Sequence, residues 1–243
     1  MLTHEHHRLD PIGDTSGFML IELLVAMVSA TVVTGALFAV LIVGLHQTAR
    51  ISGTVAATEL GRTTMTRMVD ELHSACISKE FEPIQAKSTE SELIFVSAVG
   101  QEAVLKKAAQ HKIVYSKAAG TLVETTTPSS GGEWPNFEYK GTPTTTRIGQ
   151  DISESGGKKV FQYYKYATSS STTNAVTTLT PITPESGALT EAQAKEAAAV
   201  QINYAAGAPE TAQYKPTVEL SDQVTLAFTA PSAETPIVQK PCE

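Results

Sequence analysis

Gly17-Phe18-Met19-Leu20-Ile21-Glu22-Leu23-Leu24-Val25-Ala26 opens a run in which Glu22 is the only charged residue as far as Leu45. The 28 residues from Phe18 to Leu45 would reach about 42 Å as a helix at about 1.5 Å per residue, against a hydrocarbon core of about 30 Å. The run is therefore long enough to span a membrane. A cleaved secretory signal is the nearest competitor, since Val28-Ser29-Ala30 offers small residues for signal peptidase. Three features oppose it: the apolar stretch exceeds an h-region, a charge sits inside it, and the preceding segment is not positive. A buried core helix is also disfavoured, because no comparable apolar segment exists elsewhere to cover it. Glu22 then needs an explanation. A carboxylate within a spanning segment costs about 2.5–3.5 kcal/mol even on insertion scales.

The string from Gly17 to Ala26, a glycine followed by Phe18, an aliphatic start and Glu22 as the fifth residue after the glycine, resembles the N-terminal processing signal of type IV prepilins and pseudopilins. The resemblance covers about the first tenth of the chain. It implies that a prepilin peptidase of the membrane cuts after Gly17 and methylates the amine of Phe18. It further implies that mature helices pack side by side with other pilin or pseudopilin subunits, with Glu22 serving assembly. Physical chemistry agrees. One turn into the helix, a carboxylate is favoured by the positive end of the helix dipole. Pairing with its own Phe18 amine, or with that of a neighbouring subunit, offsets the burial, and an intersubunit pair would set axial register. The alternative is a glutamate that reaches the headgroups.

Two departures from the family pattern stand out. Family leaders carry Lys or Arg close to the cut, whereas this one has only Arg8, and Ala39 stands where many pilins have proline. By the positive-inside count, Arg50 and Arg62 outweigh Arg8 unless the leader histidines are charged. The peptidase reading nonetheless requires a cytoplasmic leader, and a large C-terminal domain can be exported regardless of flanking charge. The expected location is the bacterial cytoplasmic membrane, single-pass, with the head outside and an extracytoplasmic filament after assembly.

Past residue 45 the helix is expected to continue as an amphipathic element. Ile51, Val55, Leu60, Met65, Met68, Val69, Leu72 and Cys76 recur near helical spacing, and Arg62, Arg67, Asp70 and Glu71 supply a polar face. It should end between Ser78 and Pro83. The expected organisation is a leader 1–17, a transmembrane helix 18–45, its amphipathic continuation 46–82, a β-rich head 83–230 and a Pro-rich tail 231–243. In the head, Glu92–Ala98, Lys112–Ser116, Thr121–Thr126, Lys159–Tyr166, Val200–Tyr204 and Val218–Phe228 read as strands, with Ala118-Ala119-Gly120 as a hairpin turn. Thr190-Glu191-Ala192-Gln193 has capping-box form and should open a short helix to about Ala199. The Thr-, Ser-, Gly- and Pro-rich stretches Thr125–Gly132, Thr142–Thr146 and Ala167–Pro184 read as exposed loops. A long helix followed by antiparallel strands gives an α+β class, similar to the larger-headed minor pilins and pseudopilins.

The 243-residue chain has a formal charge of −7, and removing residues 1–17, with one Arg and three acids, leaves −5. That balance offers no electrostatic footprint for nucleic acid, so no direct nucleic-acid contact is expected. Cys76 and Cys242 are the only cysteines. In an oxidising compartment a bond between them would staple the tail to the helix end, worth about 5 kcal/mol for so long a loop; the alternative is a buried Cys76 and a free tail thiol. No catalytic constellation emerges. His4-Glu5-His6-His7 lacks the helical spacing of a zinc enzyme and falls in the leader. His46, His73 and His111 are scattered, and neither a Gly-x-Ser-x-Gly elbow nor a phosphate loop occurs. Asp151 and Glu154 read as hydrated loop acids rather than a calcium site. The expectation is a structural subunit without cofactor or metal. The rival is an uncleaved single-pass membrane-anchored extracytoplasmic binding protein.

Overall fold

The computed structural model describes residues 19–76, 82–97, 108–133, 136–167, 178–209, 212 and 214–226. Gly17, Phe18 and Cys242 lie outside the described residues. The chain divides between Thr48 and Ala49 into two units, and the helix α1, Leu20–His73, supplies residues to both.

In the first unit α1 is exposed at every residue from Leu20 to Thr48, including Leu24, Val28, Val32, Leu37, Phe38 and Leu41. By length and composition this helix can cross a membrane. Polar side chains in the segment turn inward: Thr31 donates to the carbonyl of Met27 at 2.8 Å and Thr34 to that of Ala30 at 2.7 Å. Hydroxyls that bond their own helix leave no unmet donor for an apolar solvent.

In the second unit the buried face of α1 consists of Gly53, Ala57, Gly61, Thr64, Met65, Met68 and Leu72, spaced three or four residues apart apart from the Thr64–Met65 step. This corrects the expected stripe. Met65, Met68 and Leu72 are buried as foreseen, but Ile51 and Val55 are exposed, and the small residues Gly53 and Ala57, two positions further along, face inward instead. The reason is close approach. A Cβ on Gly61 would meet Leu220 Cδ1 and lie 2.8 Å from Ala206 Cβ, and one on Gly53 would lie 2.8 Å from the Tyr214 carbonyl. Tyr204 Oη donates to the Gly61 carbonyl at 2.7 Å, fixing helix to sheet.

The helix ends at His73, earlier than expected. Ala75 bridges to Ser97, and the Cys76 amide donates to the Val96 carbonyl at 2.9 Å, so these residues join a sheet edge instead of a further turn.

The head is wholly antiparallel in its strand pairing among the described residues. β1 (Glu92–Ser97), β2 (Ala109–Ser116), β3 (Thr121–Pro128) and β6 (Thr144–Gly149) form one sheet in the order β1-β2-β3-β6. β4 (Gly131–Glu133) and β5 (Asn136–Glu138) make a small ribbon. β8 (Phe161–Tyr166), β9 (Leu179–Ile182), β10 (Ala199–Gly207) and β11 (Thr217–Thr225) form a second sheet in the order β11-β10-β8-β9, and β7 (Ile152–Ser153) pairs with the end of β10. The β2–β3 hairpin turns where the sequence placed it, with Gly120 at φ 60°, a conformation that disfavours residues bearing a Cβ. The short helix α2, Glu191–Glu196, starts with the expected capping box: Gln193 N donates to Thr190 Oγ1 at 3.3 Å, and Thr190 N to Gln193 Oε1 at 3.1 Å.

Three loop expectations are corrected. β3 runs on to Pro128, β4 begins at Gly131, and Thr144–Gly149 and Leu179–Ile182 are strands. The threonine-rich segments satisfy their backbone by strand pairing, β3 between β2 and β6 and β6 on the sheet edge, where β-branched polar residues fit well. The core joins α1 to both sheets, with Met68, Leu72, Phe95, Ile113, Leu122, Phe161, Tyr163, Ile202 and Tyr204 fully or almost fully buried. These contacts realise the α+β class: a long N-terminal helix with antiparallel sheets.

Candidate functional site

Two places concentrate chemistry. The first is the start of α1. Glu22 lies in its first turn and its amide donates to the Met19 carbonyl at 2.9 Å. The side chain stands exposed among Met19, Leu20, Ile21, Leu23 and Leu24, each at least half exposed. Its companions in the sequence reading, Gly17 and Phe18, lie outside the described residues.

The second place was not singled out in the sequence. Arg67 and Glu71 stand one turn apart on α1, His111 sits on β2 and Glu124 on β3. Arg67 Nε donates to Glu71 Oε1 at 3.1 Å and Nη2 to Glu124 Oε2 at 2.7 Å, so the guanidinium bridges two carboxylates. His111 Nδ1 lies 2.8 Å from Glu124 Oε1, and its Nε2 lies 3.0 Å from Ser97 Oγ. Phe95 stacks on the imidazole at 5.1 Å between ring centroids, and Thr126 Oγ1 donates to Glu124 Oε1 at 3.2 Å. His111 and Glu124 are buried, whereas Arg67 keeps 44% of its side chain exposed. Glu71 Oε2 is buried without a hydrogen-bond partner.

The local sequence explains the placement. On β2, Ala109, His111, Ile113 and Tyr115 alternate inward, and on β3 Leu122 and Glu124 do the same. A histidine and a glutamate at inward positions of alternating strands, beside an Arg–Glu pair four apart on a helix, are the signal that was legible. Reading Arg67 and Glu71 only as part of the polar face of α1, and starting the strand at Lys112 when β2 begins at Ala109, hid it.

The two carboxyls are driven apart. Burial and the nearby Glu124 charge push Glu71 up, outweighing Arg67. Burial would push Glu124 up too, but the His111 hydrogen bond and charge, with Glu71 and Arg67, hold it at about 2, against an ordinary 4.5. Opposite pH dependences follow. The depressed Glu124 contributes stability that is full above pH 4.5 and is lost as pH falls toward 2. The raised Glu71 contributes stability that is full below pH 4.5 and is lost as pH rises through its elevated value. Glu71→Gln is therefore expected to flatten the decline in stability that sets in as pH rises above 4.5. Glu124→Gln should cost about 1–3 kcal/mol at neutral pH, because one of His111 and Arg67 would then face an amide NH2 in place of a carboxylate oxygen. Denaturant midpoints across pH 3–9 check both, and identical pH profiles for Glu71→Gln and the parent would contradict the assignment.

The remaining sequence candidates are placed as follows. Cys76 is buried and is not a free thiol; Cys242 lies outside the described residues. Glu154 pairs with Lys117 at 3.1 Å, and the Asp151 carbonyl accepts from the Gly207 amide at 2.7 Å. His46 lies on the exposed stretch of α1, and His73 is its last residue. No family model, no curated protein and no solved structure matches the chain.

Proposed function

We propose that the protein is a structural subunit of a type IV pilus or type II secretion-like filament, of the minor pilin or pseudopilin kind. In this reading prepilin peptidase cuts after Gly17, and the exposed apolar stretch of α1 holds the subunit in the bilayer before packing against its counterparts in the filament. The head is carried outside. The observation that supports the reading most is the unequal treatment of one continuous helix. From Leu20 to Thr48 it buries no side chain, while from Gly53 to Leu72 it is the spine of a β-rich head. A helix that only anchors needs no acid in its first turn, and Glu22 is the residue that a lateral assembly explains.

Mass spectrometry of the protein from membranes with an active prepilin peptidase tests the proposal. The expected mature terminus is an N-methylated Phe18, with Met1–Gly17 absent. An intact leader under those conditions overturns the reading in favour of an uncleaved membrane-anchored binding protein.

A further inference from the structure

We propose that Glu71, His111 and Glu124 form a binding site for one divalent transition-metal ion, best matched by Zn2+, in which Arg67 is a displaceable resident counterion. The inference is independent of the filament reading.

The donor atoms are already gathered. One atom from each of the three side chains lies within 4.8 Å of the other two, and ligands bound to a common zinc at about 2.0–2.2 Å are separated by about 3–4 Å. Small side-chain adjustments close that gap. Two carboxylates and an imidazole are a donor set that zinc accepts, with a further position left for water. The imidazole is also pre-aimed. Ser97 Oγ holds Nε2 at 3.0 Å while Phe95 stacks on the ring, leaving Nδ1 turned to the carboxylates. Metal-binding histidines are commonly oriented in this way through the nitrogen that does not bind the ion.

Charge points in the same direction. Two carboxylates share one guanidinium, and Glu71 Oε2 is buried with no donor. A buried carboxylate oxygen without a partner is costly, and a cation placed there relieves it. Arg67 occupies part of that position now by bridging Glu71 Oε1 and Glu124 Oε2. It is the most exposed member of the cluster, and it lines an open groove of about 580 Å³ with Arg62, Thr63, Thr66, Asp70 and Glu71. The guanidinium can therefore turn into the groove, where Asp70 offers a second acid, as the ion takes its place. The groove gives an incoming ion access to Glu71.

The test uses the full chain in detergent, with His4→Gln, His6→Gln and His7→Gln introduced so that leader imidazoles do not compete. Zn2+ is titrated by competition with a chromophoric chelator, and Co2+ supplies a visible spectrum reporting coordination. The expected result is one ion per chain, weakened tenfold or more by Glu71→Gln and by His111→Gln, and tightened tenfold or more by Arg67→Gln. Glu71 and Arg67 reach the surface, so their variants keep the test decisive if His111→Gln does not fold; circular dichroism verifies each. Absence of saturable one-ion binding in both the parent and Arg67→Gln overturns the proposal. Binding that is unchanged by Glu71→Gln overturns it as well, placing the ion elsewhere.

Discussion

Replacing Glu22 by alanine is expected to remove the protein from filaments while leaving its amount in the membrane unchanged or higher. The two halves of this result have separate causes. Alanine is the best helix former, and loss of a charge from the spanning segment favours insertion, by less than the ~2.5–3.5 kcal/mol of a mid-helix charge because Glu22 stands in the first turn, so synthesis and anchoring do not suffer. Assembly, in the proposed reading, requires a carboxylate to meet an amine at a fixed axial position. Breaking a desolvated pair by deleting one partner costs about 3–5 kcal/mol, which is about a hundredfold or more in an association constant. Immunoblots of sheared filaments against membrane fractions read both quantities. Glu22→Gln should behave like alanine, because the amide keeps the shape but cannot neutralise the amine. Normal incorporation of either variant would strip the carboxylate of its assigned role.

Gly61→Val should loosen the packing of α1 on the head. A Cβ at this position would meet Leu220 and Ala206, and the Gly61 carbonyl accepts from Tyr204 Oη at 2.7 Å. The helix cannot back away without breaking that bond and opening the core around Met65 and Met68. Overpacking of this kind costs about 1–3 kcal/mol, with about 1 kcal/mol more for the Tyr204 hydrogen bond. For a unit of this size the melting temperature should fall by about 4–16 °C. Gly35→Val and Gly44→Val provide the contrast, since no atom of the described residues lies within 4 Å of a Cβ at either site. They should melt like the parent. Thermal unfolding in one detergent orders the three variants, and equal melting points would show that Gly61 is not a close-packed position.

The long helix was legible because nothing in the sequence interrupts it. No proline falls between Pro11 and Pro83, and the apolar run leaves few alternatives. The β2–β3 hairpin and the capping box at Thr190 were legible because each depends on neighbouring residues alone. Elements whose identity depends on distant partners were not. β6 reads Thr144-Thr145-Thr146-Arg147-Ile148-Gly149, polar enough to pass for a loop, and is a strand because β3 lies beside it. β9 contains Pro181, which is tolerated because the strand lies at the end of its sheet, where one side needs no ladder donor. The inward stripe of α1 was misread for a related reason. Periodicity locates large apolar residues, whereas Gly53, Ala57 and Gly61 are inward because β10 and the segment around Tyr214 come close. The ionic cluster escaped because its members are 57 residues apart between Arg67 and Glu124 and each has an ordinary surface reading when taken singly.

The inward-turned threonines of α1 carry a consequence for how deep the helix can sit. Thr31, Thr34, Thr48, Thr54, Thr58, Thr63 and Thr64 all donate to the carbonyl four residues back, on the apolar stretch and beyond it alike. A hydroxyl already satisfied by its own helix exchanges lipid for water with little change in hydrogen bonding. In a bilayer the three on the exposed apolar stretch, Thr31, Thr34 and Thr48, would therefore place no mark along the membrane normal. In the proposed membrane-anchored reading, vertical position is left to the ionised groups, Glu22 near one end and Arg50 near the other.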